Sequence, residues 1–279
     1  MRPIKIALIL FSFALFCGAP VSAQEIKPIF DRAMEQLRAN QLEQAIDSFR
    51  QVLAIDPDEP AANYNLGICY YTQQRYERAV PALRNAIRIK PDFVDAYLYL
   101  GNSLDNLERY DQAIAAYMKA VEYDPKNAQA YYEMGVANEK QKDYEAAAKA
   151  YQTSYDLDAA NFSGYRALAR SYYNIGMFDR AIPAYKRAIE IDPANVTNHL
   201  YLAYSYSKTK QFAAALTSFN AVLGLNPKDA YAINGIGEVY IQQKNFVLAR
   251  KQHAILLLVN KTMADKLLIK LTAASSERP

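Results

Sequence analysis

Alanine recurs at positions 45, 79, 113, 147, 181, 215 and 249, seven times at an interval of 34 residues. Proline holds a second phase of the same interval at 57, 91, 125, 193 and 227, with Ala159 in the missing slot. An aromatic residue stands three positions before six of the alanines: Tyr76, Tyr110, Tyr144, Phe178, Phe212 and Phe246. A period of this length, held without insertion, confines the chain to a stack of equivalent supersecondary units. Each unit is too small to bury its own apolar face and must pack on its neighbours.

Each unit reads as two helices. In the third copy Tyr97, Leu100, Gly101 and Leu104 fall at i, i+3, i+4 and i+7, one face of a helix. Ala113, Tyr117 and Ala120 give a second helix the same kind of face. Small residues at Gly101 and Ala113 allow close approach of the pair. Pro125 has no N–H to donate and restricts Asp124 before it, so the second helix ends there. Asn127, Asn161 and Asn195 stand where the next helix begins and suit its N-cap. Pro81 and Pro183 lie early in second helices, where no more than a mild kink is expected.

The pattern of Gly/Ala, Tyr, Ala, aromatic, Ala and Pro in fixed phase resembles the tetratricopeptide (TPR) family. The resemblance implies an all-α, right-handed superhelical solenoid of about seven helix-turn-helix repeats. In the family's phase these are 26–59, 60–93, 94–127, 128–161, 162–195, 196–229 and 230–263, a solenoid over 24–263. The first copy departs from the family in having Arg32 and Gln36 where Leu and Tyr are usual, which is expected to weaken its first helix. The last has Lys261 for Pro and His253 for the aromatic.

Residues 264–279 are expected to form a capping helix and a frayed tail. Thr262 with Asp265 makes a capping-box-like start. Met263, Leu267, Leu268 and Leu271 share one face of a helix over 263–272, which is expected to cover the Ile255–Val259 run; the tail begins at Ser275.

The first 23 residues form a separate zone. Arg2 and Lys5 precede an apolar run from Ile6 to Phe16, and Val21-Ser22-Ala23 precedes Gln24. This fits a secretory leader cleaved after Ala23, and it implies export, to the periplasm or beyond the cell. Phe16 before Cys17 does not suit lipidation. No integral membrane segment is expected after cleavage.

The formal net charge is +3, and losing Arg2 and Lys5 leaves +1. Near-neutrality argues against nucleic acid as a partner. The chain has two histidines, His199 and His253, which read as packed residues, and no His/Cys metal pattern, G-x-S-x-G or Walker A sequence. Cys69 reads as a small buried filler. No enzyme activity, metal or cofactor is expected.

Most of the 23 tyrosines are sorted by phase into the core. The TPR resemblance carries the remaining candidates onto a concave groove: Phe30, Met34, Tyr64, Ile68, Tyr71, Asn102, Tyr132, Arg166, Arg170, Tyr173 and Tyr204. It also places Asp95, Asp105, Gln129, Glu139 and Tyr231 there. The N-terminal end of this groove is expected to be apolar. Arg166 and Arg170 stand one helical turn apart and could take an acidic group, or else form a salt-bridged face with Glu139 or Asp179. The Lys and Asn set of the carboxylate-clamp TPR proteins is absent, so binding of that type is not expected. The reading is a scaffold that holds a protein or peptide partner in the groove. The alternative is self-assembly through the convex face or the ends, giving a homo-oligomer.

Overall fold

The structure is a computed structural model that describes residues 21–160 and 163–276. Most of the expected leader, Asn161 and the last three residues of the expected tail lie outside them. Among the described residues the secondary structure is helical, with no strand. The chain divides into two compact units, 1–141 and 142–279.

The first unit holds α1 (Val21–Arg38), α2 (Leu42–Ile55), α3 (Pro60–Thr72), α4 (Tyr76–Ile89), α5 (Val94–Asn106), α6 (Tyr110–Tyr123) and α7 (Ala128–Lys140). The second holds α8 (Tyr144–Leu157), α9 (Tyr165–Asn174), α10 (Phe178–Ile191), α11 (Val196–Lys208), α12 (Phe212–Leu225), α13 (Ala230–Gln242), α14 (Phe246–Val259) and α15 (Lys261–Ser276). Within each unit every helix packs on the next. The first helices of successive pairs also touch: α3 with α5, α5 with α7, α9 with α11 and α11 with α13. Each unit is therefore an all-α stack of helix pairs with the first helices in an inner row.

The pairs close on glycine and alanine. A Cβ on Gly101 would lie 2.4 Å from the Tyr117 ring, so the tyrosine occupies the space a side chain would need. Ala113, Ala147, Ala181, Ala215 and Ala249 are fully buried. Tyr117, Tyr151 and Tyr185 are buried to the same degree, whereas Tyr97 and Tyr131 are half-buried at the helix surface. Asn127 caps α7 by accepting from the Ala130 amide at 3.0 Å, and Asn195 caps α11 through Asn198 at 3.2 Å. α4 and α10 run through Pro81 and Pro183 unbroken.

The turn inside each pair has a feature the sequence pattern does not reveal. Asn40, Gln74, Glu108, Lys142, Gly176, Lys210 and Lys244 all have positive φ, between 58° and 77°. They recur every 34 residues, yet only one is glycine. The left-handed conformation is imposed by the closure of the helix pair rather than by a residue that favours it.

Four expectations need correction. The polar departures in the first copy do not weaken α1, because Arg32 donates to Gln51 at 2.8 Å and Gln36 accepts from Ser48 at 2.7 Å, tying α1 to α2. The C-terminal helix is capped by Asn260, whose side chain accepts from the Met263 amide at 3.0 Å, and not by Thr262. It continues through Ser275 to Ser276, so the expected start of the tail is helical. Nor does α15 cover the whole Ile255–Val259 run. It buries Leu256 with Ala264 and Leu267, but Ile255, Leu257, Leu258 and Val259 stay exposed.

Candidate functional site

The inner row of the first unit carries seven of the eleven groove candidates. Four are core residues. Phe30, Met34, Tyr64 and Ile68 are 4, 7, 1 and 3 % exposed, so they offer no side-chain surface to a ligand. Phe30 packs edge-on against Phe49 at 5.7 Å. Tyr64 is held by Phe93 at 4.6 Å and Tyr99 at 5.9 Å. The expected apolar end of the groove is thus filled by the protein's own aromatics.

The other three lie at the surface. Tyr71 is half-buried against Tyr76 and Tyr99, with ring centroids 5.5 and 5.4 Å away. Burial, reinforced by nearby negative groups, pushes its hydroxyl up to about 12. Asn102 accepts a 2.7 Å hydrogen bond from the buried Tyr117 hydroxyl, which fixes its carboxamide. Tyr132 is half-buried on α7. Beside them Asp105 is paired with Lys140, whose ammonium also lies 5.7 Å from the centre of the Tyr110 ring. Gln129 donates to Glu133. Asp95 has its carboxyl raised by burial, with Asp124 adding to the effect.

The second unit presents a different inner row. Arg166 and Arg170 are exposed on α9, and Tyr173 follows on the same face, half-buried. Tyr173 packs on Phe178 at 5.3 Å and Tyr201 at 4.9 Å. Tyr204 on α11 donates to the Tyr231 carbonyl at 3.1 Å and packs on Phe219 at 5.2 Å. Tyr231 itself is 59 % exposed. Glu238 on α13 is paired with Lys270 and accepts from Asn234 at 3.1 Å. Burial raises the Tyr204 hydroxyl well above the usual range, and the Glu238 charge adds to it. The row therefore combines two guanidinium groups with two tyrosines whose orientations are set by neighbouring rings.

A further cavity of about 510 Å³ lies among α8, α9 and α10, off the inner row. Tyr155, Tyr165, Tyr172, Arg180 and Arg187 line it. The guanidinium groups of Arg180 and Arg187 sit 5.8 Å from the rings of Tyr172 and Tyr165. Tyr172 donates to Gln152 at 2.8 Å. Both tyrosines are buried, as their repeat phase implies, whereas nothing in the sequence pattern marks the two arginines. The only hint of the cavity was Ala159 in the vacant proline slot, and α9 starts later in its repeat than the other first helices.

Cys69 and His199 are each held by their surroundings. Cys69 is fully buried, and burial pushes its thiol up to about 12. His199 bonds the Pro193 carbonyl at 2.9 Å and so braces the turn before α11. Among the described residues no group of three His, Cys, Asp or Glu side chains is placed to hold a metal ion. No helix there is long and apolar enough to cross a membrane.

Comparison with known proteins agrees with this architecture. Two tetratricopeptide-repeat family models match, one over residues 30–92 and 98–162 and the other over 175–232. No curated protein matches the sequence. Among solved structures, the C-terminal part of a TPR repeat-containing protein from Cytophaga hutchinsonii aligns with 86 % of this chain and 99 % of its own, with a TM-score of 0.64 and 18 % identity. YrrB, described as a TPR protein with an unusual peptide-binding site, aligns with 66 % of this chain and 95 % of its own, at a TM-score of 0.59 and 22 % identity. MamA aligns with 61 % of this chain and 93 % of its own, at 0.55 and 26 %. The matched repeats cover most of the chain and the helix pairs carry the family's small-residue contacts, so the chain belongs to the tetratricopeptide-repeat family.

Proposed function

We propose that this protein is an exported, non-enzymatic scaffold of the cell envelope, most simply of the periplasm, that holds a segment of a partner protein on its inner helix rows. The observation that carries the reading is the inner face of the second unit. There Arg166, Arg170 and Tyr173 follow one another along α9, and Tyr204 stands on the neighbouring α11. Guanidinium groups pair bidentately with carboxylates, and tyrosine is an anchor with few rotamers to lose. The surface suits an acidic segment that also carries an apolar or aromatic side chain. The peptide-binding description of YrrB supports the use of this fold for such a task. The leader-like residues 1–23 support export.

Capture of partners from an envelope fraction tests the reading. Arg166→Ala with Arg170→Ala should weaken capture mostly at low salt, because exposed charges act chiefly on encounter. Tyr173→Ala should weaken it at every ionic strength, by about 2 kcal/mol if it is an anchor. A partner that binds both variants as tightly as wild type would remove the inner row from consideration. Intact mass of the exported protein should correspond to a chain that begins at Gln24.

A further inference from the structure

The second helices of the repeats share an outward-facing stripe, and in the last repeat that stripe changes character. Val247 stands in the phase of Glu43, Glu77, Asp111, Glu145 and Asp179. Ile255 stands in the phase of Gln51, Asn85, Lys119, Thr153 and Arg187, and Leu258 in that of Ala54, Arg88, Glu122, Asp156 and Glu190. The sixth repeat is intermediate, with Ala213, Ala221 and Gly224 in the three places. An acid in the first helical turn is favoured by the helix dipole, so Val247 gives up a local advantage. Burial does not compensate, because Val247, Ile255 and Leu258 are 69, 46 and 88 % exposed with α15 in place. On α14 they lie at i, i+8 and i+11, one stripe of the helix.

Charge changes over the same stretch. Residues 208–276 contain nine Lys and Arg against three Asp and Glu, whereas residues 24–207 contain twenty against twenty-five. Arg250 and Lys251 are exposed on α14 itself, and Lys251 falls within the apolar stripe. Neither makes an ion pair among the described residues.

We propose that the outer face of α14 docks on an anionic lipid surface. Apolar side chains on one face of a helix, ringed by Lys and Arg, are what partitions into the headgroup boundary of such a membrane. The helix would lie on the surface, since none of the described helices can span a bilayer. A second copy of the chain is the poorer occupant, because it would bring the same positive charge against itself.

The chain contains no tryptophan, so Leu258→Trp places a single reporter on the face. Glu122→Trp, at the same phase of an earlier repeat, is the control. With phosphatidylcholine vesicles containing phosphatidylglycerol, the Leu258→Trp emission should shift to the blue. The shift should shrink with salt and be small on phosphatidylcholine alone, while Glu122→Trp should not move. Adding Val247→Glu and Ile255→Gln to Leu258→Trp, which restores the earlier repeats' residue types at exposed positions, should reduce vesicle-bound signal at least about tenfold. Unchanged helical signal and melting would show the variants folded. Attachment through residues 6–16 alone would leave the reporter unshifted and overturn the proposal. So would an equal shift in the control, or a shift that depends on protein concentration without vesicles, which would identify a second copy as the occupant.

Discussion

The positive-φ residue in each turn shows what a single position contributes. At Gly176 the left-handed backbone is unstrained, and a Cβ there would meet nothing within 4 Å. Gly176→Ala should therefore cost about 1 kcal/mol through the backbone alone, read as a lower urea midpoint with unchanged slope. Lys244 has φ 60° with a side chain attached. Lys244→Gly should raise stability by about 0.5 kcal/mol, the relief of strain exceeding the entropy that glycine adds to the unfolded chain. Gly101→Ala belongs to another class. Its Cβ would meet the buried Tyr117 ring, and overpacking of this kind costs about 1–3 kcal/mol. The role of Gly101 could be read from its phase opposite Ala113. The turns could not, because Asn40, Gln74, Glu108, Lys142, Lys210 and Lys244 have no single side-chain type in common. Their conformation is set by the backbone path between two packed helices.

At the scale of the element, the 34-residue period was legible because small and aromatic residues recur in phase with the helices they join. The site was legible only in part. Phase tells which face of a first helix looks inward, but not whether a neighbour covers it. Tyr64 and Tyr132 occupy matching places, yet Tyr64 is enclosed by Phe93 and Tyr99 while Tyr132 is only half-buried. The stabilising bonds of Arg32 and Gln36 depend on partners in the next helix, which no single-helix pattern displays. The same limit applies to α15, whose apolar residues announce a cap without showing how little it covers. Its hold rests on Leu267, which is fully buried and would lie 2.7 Å from a Cβ on Gly237. Leu267→Ala should cost about 2–5 kcal/mol, with the loss confined to the end of the second unit in hydrogen exchange.

Across the whole molecule, the tyrosines couple packing to alkaline pH. Tyr64, Tyr71, Tyr117 and Tyr204 all have their hydroxyls raised, with burial as the largest cause. In the unfolded chain they ionise near 10. Above that pH the unfolded state sheds protons that the folded state retains, so stability should fall as pH rises from about 10 toward 12 and beyond. Denaturant midpoints across that range, compared with those near neutrality, measure the loss. The recurring turn carries a consequence of another kind. A joint that accepts Asn, Gln, Glu, Lys or Gly with nearly one geometry is indifferent to which second helix follows it. Unequal recombination could lengthen or shorten such a gene by whole cassettes and leave every joint intact. The last cassette is the exception, since a duplicate would add a second apolar, basic outer face. Growth of this lineage would therefore be tolerated upstream of the terminal cassette and selected against within it.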